Sequence, residues 1–273
     1  MKFYNPHPIL QEFVHSIMIV HAKVGKDAPP VVSPYPPTPQ NEMYFYINDR
    51  IKMQQQRGAG FILQPRSVIV GPQLSPVTID VNRDLKAVRI GFQPGGLYRL
   101  LGYPVHRMID ESLDAADVFG SEIEELNDRL QEAPHFDAIK DITEQFLLQK
   151  AKKLKLILPF DKAMLELMKN DGNISMEKIA SLACVSLRQF ERLSKERIGF
   201  PPKLFARLVR FSKAYRLRED FPDWSWTRIA YECNYFDQMH FIRDFKQFAE
   251  VTPGRIEKEL EQTPFRMQTA RRF

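Results

Sequence analysis

Apolar and polar positions alternate through the N-terminal part of the chain and then change period. Val77, Ile79 and Val81 alternate with polar neighbours, as do Val88, Ile90 and Phe92, so each run has one face to bury, as a strand does. Met43-Tyr44-Phe45-Tyr46-Ile47, ended by Asn48-Asp49, reads as another strand, and Phe61-Ile62-Leu63 and Val68-Ile69-Val70 read as two more. Pro29, Pro30, Pro34, Pro36, Pro37 and Pro39 predict an extended loop over 29–39. Short strands at this spacing predict a small β-barrel or sandwich.

After Gly95-Gly96 the spacing becomes helical. Leu97, Leu100 and Leu101 fit one helical turn; Ile123, Leu126 and Leu130 form a stripe between Gly120 and Pro134; Ile139, Ile142, Phe146 and Leu147 form another over 137–148. In that position such a stripe is either core or a dimer surface. Lys150, Lys152, Lys153 and Lys155 mark an exposed connection, and Pro159 opens a helix that closes at Asn170-Asp171-Gly172-Asn173.

From there a motif occurs twice, about fifty residues apart. The first copy runs from Ile179 to Arg192 and the second from Ile229 to Phe245, each a short apolar-faced helix, a tight turn and a second helix. Ser186 is a good N-cap for the first of these second helices and Asp237 for the other. Three- and four-residue spacing turns Leu187, Phe190 and Leu193 inward, leaving Arg188, Glu191, Arg192 and Lys195 outward. In the second copy Phe241, Phe245 and Phe248 are the anchors, and Gln238, Met239, His240 and Arg243 face out near the helix start. Arg pairs bidentately with guanine and Glu accepts from cytosine, so such a face has the chemistry to read base edges; a solvated charged face is the alternative for a lone helix, and the tandem arrangement weighs against it. Between the copies, Pro201-Pro202 starts a long helix that buries Leu204, Phe205, Leu208, Phe211 and Leu217 and keeps Arg207, Arg210, Lys213 and Arg218 outside.

Charge sharpens this picture. The formal net charge is +5, yet from Ser186 to Arg218 ten basic residues face only two acidic ones, so the rest of the chain is near or below neutrality. That places a polyanion partner at the repeated motif. The two cysteines, Cys184 and Cys233, each lie near the turn of one copy and are expected as free thiols, which fits a reducing cytoplasm. No run approaches eighteen apolar residues, so neither a membrane span nor a secretion signal is expected. His7, His15 and His21 fall outside the predicted barrel and His106 and His240 lack partners, so no metal is expected. No nucleophile–base pair or nucleotide loop points to an enzyme, and no cofactor is expected.

The second copy resembles the AraC/XylS family of bacterial transcription regulators, through Ile229-Ala230, Tyr235-Phe236-Asp237-Gln238, His240-Phe241, Arg243, Phe245-Lys246 and Val251-Thr252-Pro253. The resemblance covers roughly 158–260. It implies base-reading positions at Arg188, Arg192, Gln238, Met239, His240 and Arg243. Two departures stand out: Asn234 occupies the usual turn glycine, and Ala249-Glu250 replaces a glycine-containing turn. Val70-Gly71-Pro72 and Gly91-Phe92-Gln93-Pro94-Gly95-Gly96 resemble the cupin-like sensor domain of one AraC branch.

The expected fold is therefore α+β in two domains: a cupin-like β-barrel with helices over 1–132, a helical linker over 133–157, an all-α tandem helix-turn-helix domain over 158–260 and a tail over 261–273. The implied function is a transcription factor that puts its 186–197 and 238–248 helices into successive major grooves of double-stranded DNA. Its N-terminal domain senses a small molecule, makes a homodimer, or contacts only protein. RNA polymerase is an implied partner. Tyr44, Tyr46, Arg66, Arg89 and Phe92 are candidates to line a barrel pocket, as aromatics and Arg suit a planar or anionic effector. An enzymatic barrel targeted to DNA is the rival reading.

Overall fold

The alternating runs pair into two antiparallel sheets. The computed structural model describes residues 1–25, 27, 31–55 and 60–256; Pro29 and Pro30 of the predicted loop, the end of the 158–260 segment and the 261–273 tail lie outside the described residues. The strands are β1 (Lys2–Tyr4), β2 (Val14–Lys23), β3 (Val32–Tyr35), β4 (Glu42–Tyr46), β5 (Lys52–Gln54), β6 (Ile62–Leu63), β7 (Ser67–Val70), β8 (Val77–Asp80), β9 (Asp84–Phe92) and β10 (Ser112–Asp114). One sheet has six strands in the order β1-β2-β9-β4-β7-β10 and the other four, β3-β8-β5-β6.

Both faces of the large sheet are covered, and that sorts its residues by parity. On one face Val20, Tyr44, Tyr46, Val68, Leu85 and Ala87 form a core with Tyr35, Val77 and Ile79 of the small sheet. On the other, Ile17, Met43, Phe45, Ile69, Val88 and Ile90 pack against helices. Strand β9 thus buries both its odd and its even positions, where alternation predicted a single buried face. Strand β2 carries His15 and His21 and pairs with β9 in the middle of this sheet, so these histidines belong to the barrel, contrary to expectation. Among the described residues no His, Cys, Asp or Glu group is arranged to hold a metal ion. Pro34 lies within β3, inside the stretch expected to be a loop. It is tolerated because β3 pairs only with β8 and is an edge strand, where a missing N–H costs no ladder bond.

The helices over that outer face are α1 (Gly96–Leu101), α2 (Ala115–Phe119), α3 (Ser121–Glu132) and α4 (Phe136–Ala151). The stripes Ile123, Leu126, Leu130 and Ile139, Phe146, Leu147 are buried in the core they share with the sheet, which resolves the choice between core and surface in favour of core.

The C-terminal part is all helical: α5 (Pro159–Lys169), α6 (Met176–Leu182), α7 (Leu187–Arg197), α8 (Pro202–Asp220), α9 (Trp226–Glu232) and α10 (Gln238–Phe248). Phe160, Phe190, Phe205, Phe211, Phe241, Phe245 and Phe248 hold them around one core. At about 2 kcal/mol or more per fully buried aromatic, these rings are the chief source of its stability. Helix α8 packs against α5, against α7 of the first copy and against α9 and α10 of the second. Among the described residues no helix is long and apolar enough to cross a membrane.

Candidate nucleic-acid interface and ligand cavity

Each copy is built by the same local chemistry. Ser175 and Ser225 cap the leading helices α6 and α9, accepting from Lys178 N and Arg228 N. Both turns then require a left-handed residue, supplied by Cys184 (φ 55°) and Asn234 (φ 54°). Ser186 accepts from Gln189 N at 3.3 Å and starts α7; Asp237 accepts from His240 N at 2.7 Å and starts α10. The backbone N–H of His240, more than the imidazole beside it, holds the Asp237 carboxyl below the usual carboxylate range.

The repeat is not perfect. Ser175 and Ser225, Ile179 and Ile229, and Cys184 and Asn234 stand at equal spacing, but Phe190 matches Phe241 and Arg192 matches Arg243, one residue further on. The second turn is longer by that one residue, and Phe236 projects there with 93% of its surface exposed. Sequence reasoning passed over Phe236. Its signal is that it lies between the half-buried Tyr235 and the cap Asp237, outside any apolar period.

The eight residues expected to face out do so: Arg188, Glu191, Arg192 and Lys195 on α7 and Gln238, Met239, His240 and Arg243 on α10 are all exposed. Arg192 is 3.4 Å from Glu196, and His240 Nδ1 is 2.8 Å from Asp237. Leu187, expected inward, is exposed instead, because Phe190 and Ser194 already fill the inner face. The basic residues of α8 are also less outward than expected. Arg207 donates to Asp244 at 2.7 Å, Lys213 to Asp171 at 2.8 Å, and Arg218 to the Trp224 carbonyl at 2.7 Å. These cations stitch α8 to its neighbours. Cys233 is buried, which pushes its thiol up to about 12, whereas Cys184 is exposed.

The inner half of α7 meets the N-terminal domain, against α1 and the turn Val105–Met108. Tyr98 donates to Glu196 at 2.8 Å, and the Arg197 guanidinium lies 4.4 Å from the Tyr98 ring centroid. Arg197 is buried and bidentate to Asp161, at 2.8 and 2.6 Å. Two glycines allow the approach: a Cβ on Gly95 (φ 77°) would run into the Asp161 carboxylate, and one on Gly199 into Pro72. Glu196 therefore touches both a domain contact, Tyr98, and a candidate DNA contact, Arg192.

Between the two sheets lies a cavity that opens to solvent. Of the five residues expected to line a pocket, Tyr44, Tyr46 and Arg89 do so. Phe92 does not: it is three positions from Arg89, which puts it on the opposite face, against α1 and the helical core. Arg66 precedes β7 and reaches outward to Asp128 at 3.3 Å and Gln131 at 2.9 Å on α3. Tyr44 and Tyr46 stack, 6.0 Å apart. Burial first, then the nearby Glu42, pushes the Tyr44 phenol well above its ordinary range. Arg89 pairs with Glu42 and donates to Gln40 Oε1 at 3.0 Å, and Tyr44 donates to the same Glu42 carboxylate.

Residues 179–259 match a family model described as a helix-turn-helix domain, and residues 2–114 match one described as a domain of unknown function (DUF6597). An uncharacterized HTH-type transcriptional regulator of Haemophilus influenzae is 32% identical over 99 residues, 36% of this chain and 32% of that protein. The HTH-type transcriptional regulator MtrA of Neisseria gonorrhoeae is 29% identical over 91 residues, 33% of this chain and 30% of its own. The chain thus spans about a third of the length of each of these relatives. A crystal structure of an apo ToxT variant from Vibrio cholerae shares the fold, with a TM-score of 0.50 at 13% identity over 89% of this chain and 97% of that one.

Proposed function

We propose that this chain is a helix-turn-helix regulator of the AraC type that controls transcription by reading two successive major-groove segments of one DNA duplex, one with α7 and one with α10. The observation that carries this reading is that all eight candidate contacts are exposed on two separately capped helices that α8 holds in one body. Arg188 and Arg192 supply bidentate donors for guanine, Glu191 an acceptor for cytosine, Met239 an apolar contact for a thymine methyl, and Gln238, His240, Arg243 and Lys195 further base or phosphate contacts. Contact with RNA polymerase and a cytoplasmic location belong to the same proposal.

The N-terminal domain senses a small molecule in the cavity between its sheets, and homodimerisation is not required for two-headed reading. The Tyr98–Glu196–Arg192 chain of contacts supports a physical route from that domain to the reading helix. Selection from a random double-stranded DNA pool at physiological salt tests the DNA reading. A bipartite site with elements about 10 base pairs apart is expected, Arg192→Ala losing one element and Arg243→Ala the other. Sequence-independent binding that vanishes as salt is raised would overturn it.

A further inference from the structure

The cavity between the sheets has a definite charge pattern. At its inner wall Arg89 is 2% exposed and its charge is already neutralised by Glu42. Its NH2 group serves Glu42 and Gln40, but its Nε–H has no partner, and the Nε2 of Gln40 behind it has none either. Both unsatisfied groups are donors. A buried donor left unpaired costs free energy that an acceptor brought in by a ligand would recover. The other charged lining residues are the half-buried Asp110 and the exposed Glu111, so among the described residues the lining holds three carboxylates and one guanidinium. Asp110 is held in place by accepting from Leu74 N at 2.7 Å and Ser75 N at 3.0 Å. The rest of the lining is mostly apolar or aromatic, with Met18, Val68, Val77, Ile79 and the stacked Tyr44 and Tyr46, and its uncharged polar residues are Gln55, Gln64, Gln73 and Ser112.

Resting on the reading of this cavity as a sensor site, we propose that its ligand is an uncharged, mostly apolar, flat molecule that presents one acceptor oxygen to Arg89. An anion would meet a guanidinium that already has its carboxylate and two further carboxylates in the same lining. A cation would be drawn to those carboxylates, but it brings donors to an interior whose unsatisfied groups are themselves donors. This departs from the anionic option that the Arg alone left open in the sequence.

The test uses the full chain and four matched probes: 2-acetylnaphthalene, 2-ethylnaphthalene, 2-naphthoate and 2-(aminomethyl)naphthalene, with binding measured by titration. The ketone should bind tightest, about tenfold better than the ethyl compound, which lacks the acceptor. Arg89→Lys keeps the charge opposite Glu42 but removes Nε–H, and should abolish the ketone's advantage while leaving the ethyl compound's affinity unchanged. Should that variant fail to fold, Met53→Trp, at a half-buried wall position, should weaken the ketone and the ethyl compound alike without changing their order. Tightest binding of naphthoate or of the amine, blocked by Met53→Trp, would overturn the uncharged class and leave the cavity as a sensor site. No binding by any of the four, or binding indifferent to Met53→Trp, would overturn the sensor reading and this inference with it.

Discussion

Among the described residues, four outside glycine hold the backbone of the C-terminal helical half in the left-handed region: Asp171, Cys184, Asn234 and Glu250. For most side chains that conformation costs on the order of 1 kcal/mol, with Asn the mildest case. Glu250 (φ 58°) is the costlier kind and is exposed, so burial of its side chain does not compensate. Glu250→Gly is therefore expected to raise stability by roughly 0.5–1 kcal/mol, net of the freedom glycine adds to the unfolded chain, while Asn234→Gly should change it by less. Urea midpoints check this, and a loss at Glu250 would mean that the turn is not strained. Both positions were legible in the sequence as places where the resemblance led one to expect glycine. The inward side of β9 was legible less well. Tyr44, Tyr46 and Arg89 do line the cavity, but Phe92 was grouped with them although strand parity alone separates it from Arg89.

Helix α7 divides its labour lengthwise, with Arg188, Glu191, Arg192 and Lys195 exposed and Glu196 and Arg197 engaged with the N-terminal domain. On the proposed DNA reading, Glu196 would compete with DNA for Arg192 and would set a negative charge beside the phosphates. Glu196→Gln keeps an acceptor for the Tyr98 hydroxyl yet removes that charge, so DNA affinity at fixed salt should rise about 3- to 10-fold. An unchanged dissociation constant would remove Glu196 from the route between the domains. At this scale the caps and apolar anchors of the tandem motif were readable because they are local: Ser186 and Asp237 act within three residues of themselves. Strand β2 was not readable. It is buried on both faces beside β9, so it lacks the alternation by which a strand with one wet face announces itself. Nor were the true roles of Arg207 and Lys213, whose partners Asp244 and Asp171 lie some forty residues away and are brought near only by the packing of α8.

Across the whole molecule, Arg197 is the point where the parts are fastened. Its guanidinium holds Asp161 of α5, reaches the Leu156 carbonyl of the connecting segment at 3.3 Å and covers the Tyr98 ring of the N-terminal domain. Arg197→Met would leave Asp161 buried with only the Leu158 N–H as a partner, and should cost about 3–5 kcal/mol, read as an earlier urea transition. A loss under about 1 kcal/mol would mean that water replaces the guanidinium. The same molecule also carries a built-in asymmetry. The extra residue in the second turn shifts the correspondence between the copies, so Arg188 of one faces its counterpart in Met239 of the other, and Glu191 in Ile242, while Arg192 and Arg243 still match. A duplex read by these two heads would be bound as an arrow rather than a palindrome: reversing the site would reverse the protein, and a single copy could tell upstream from downstream.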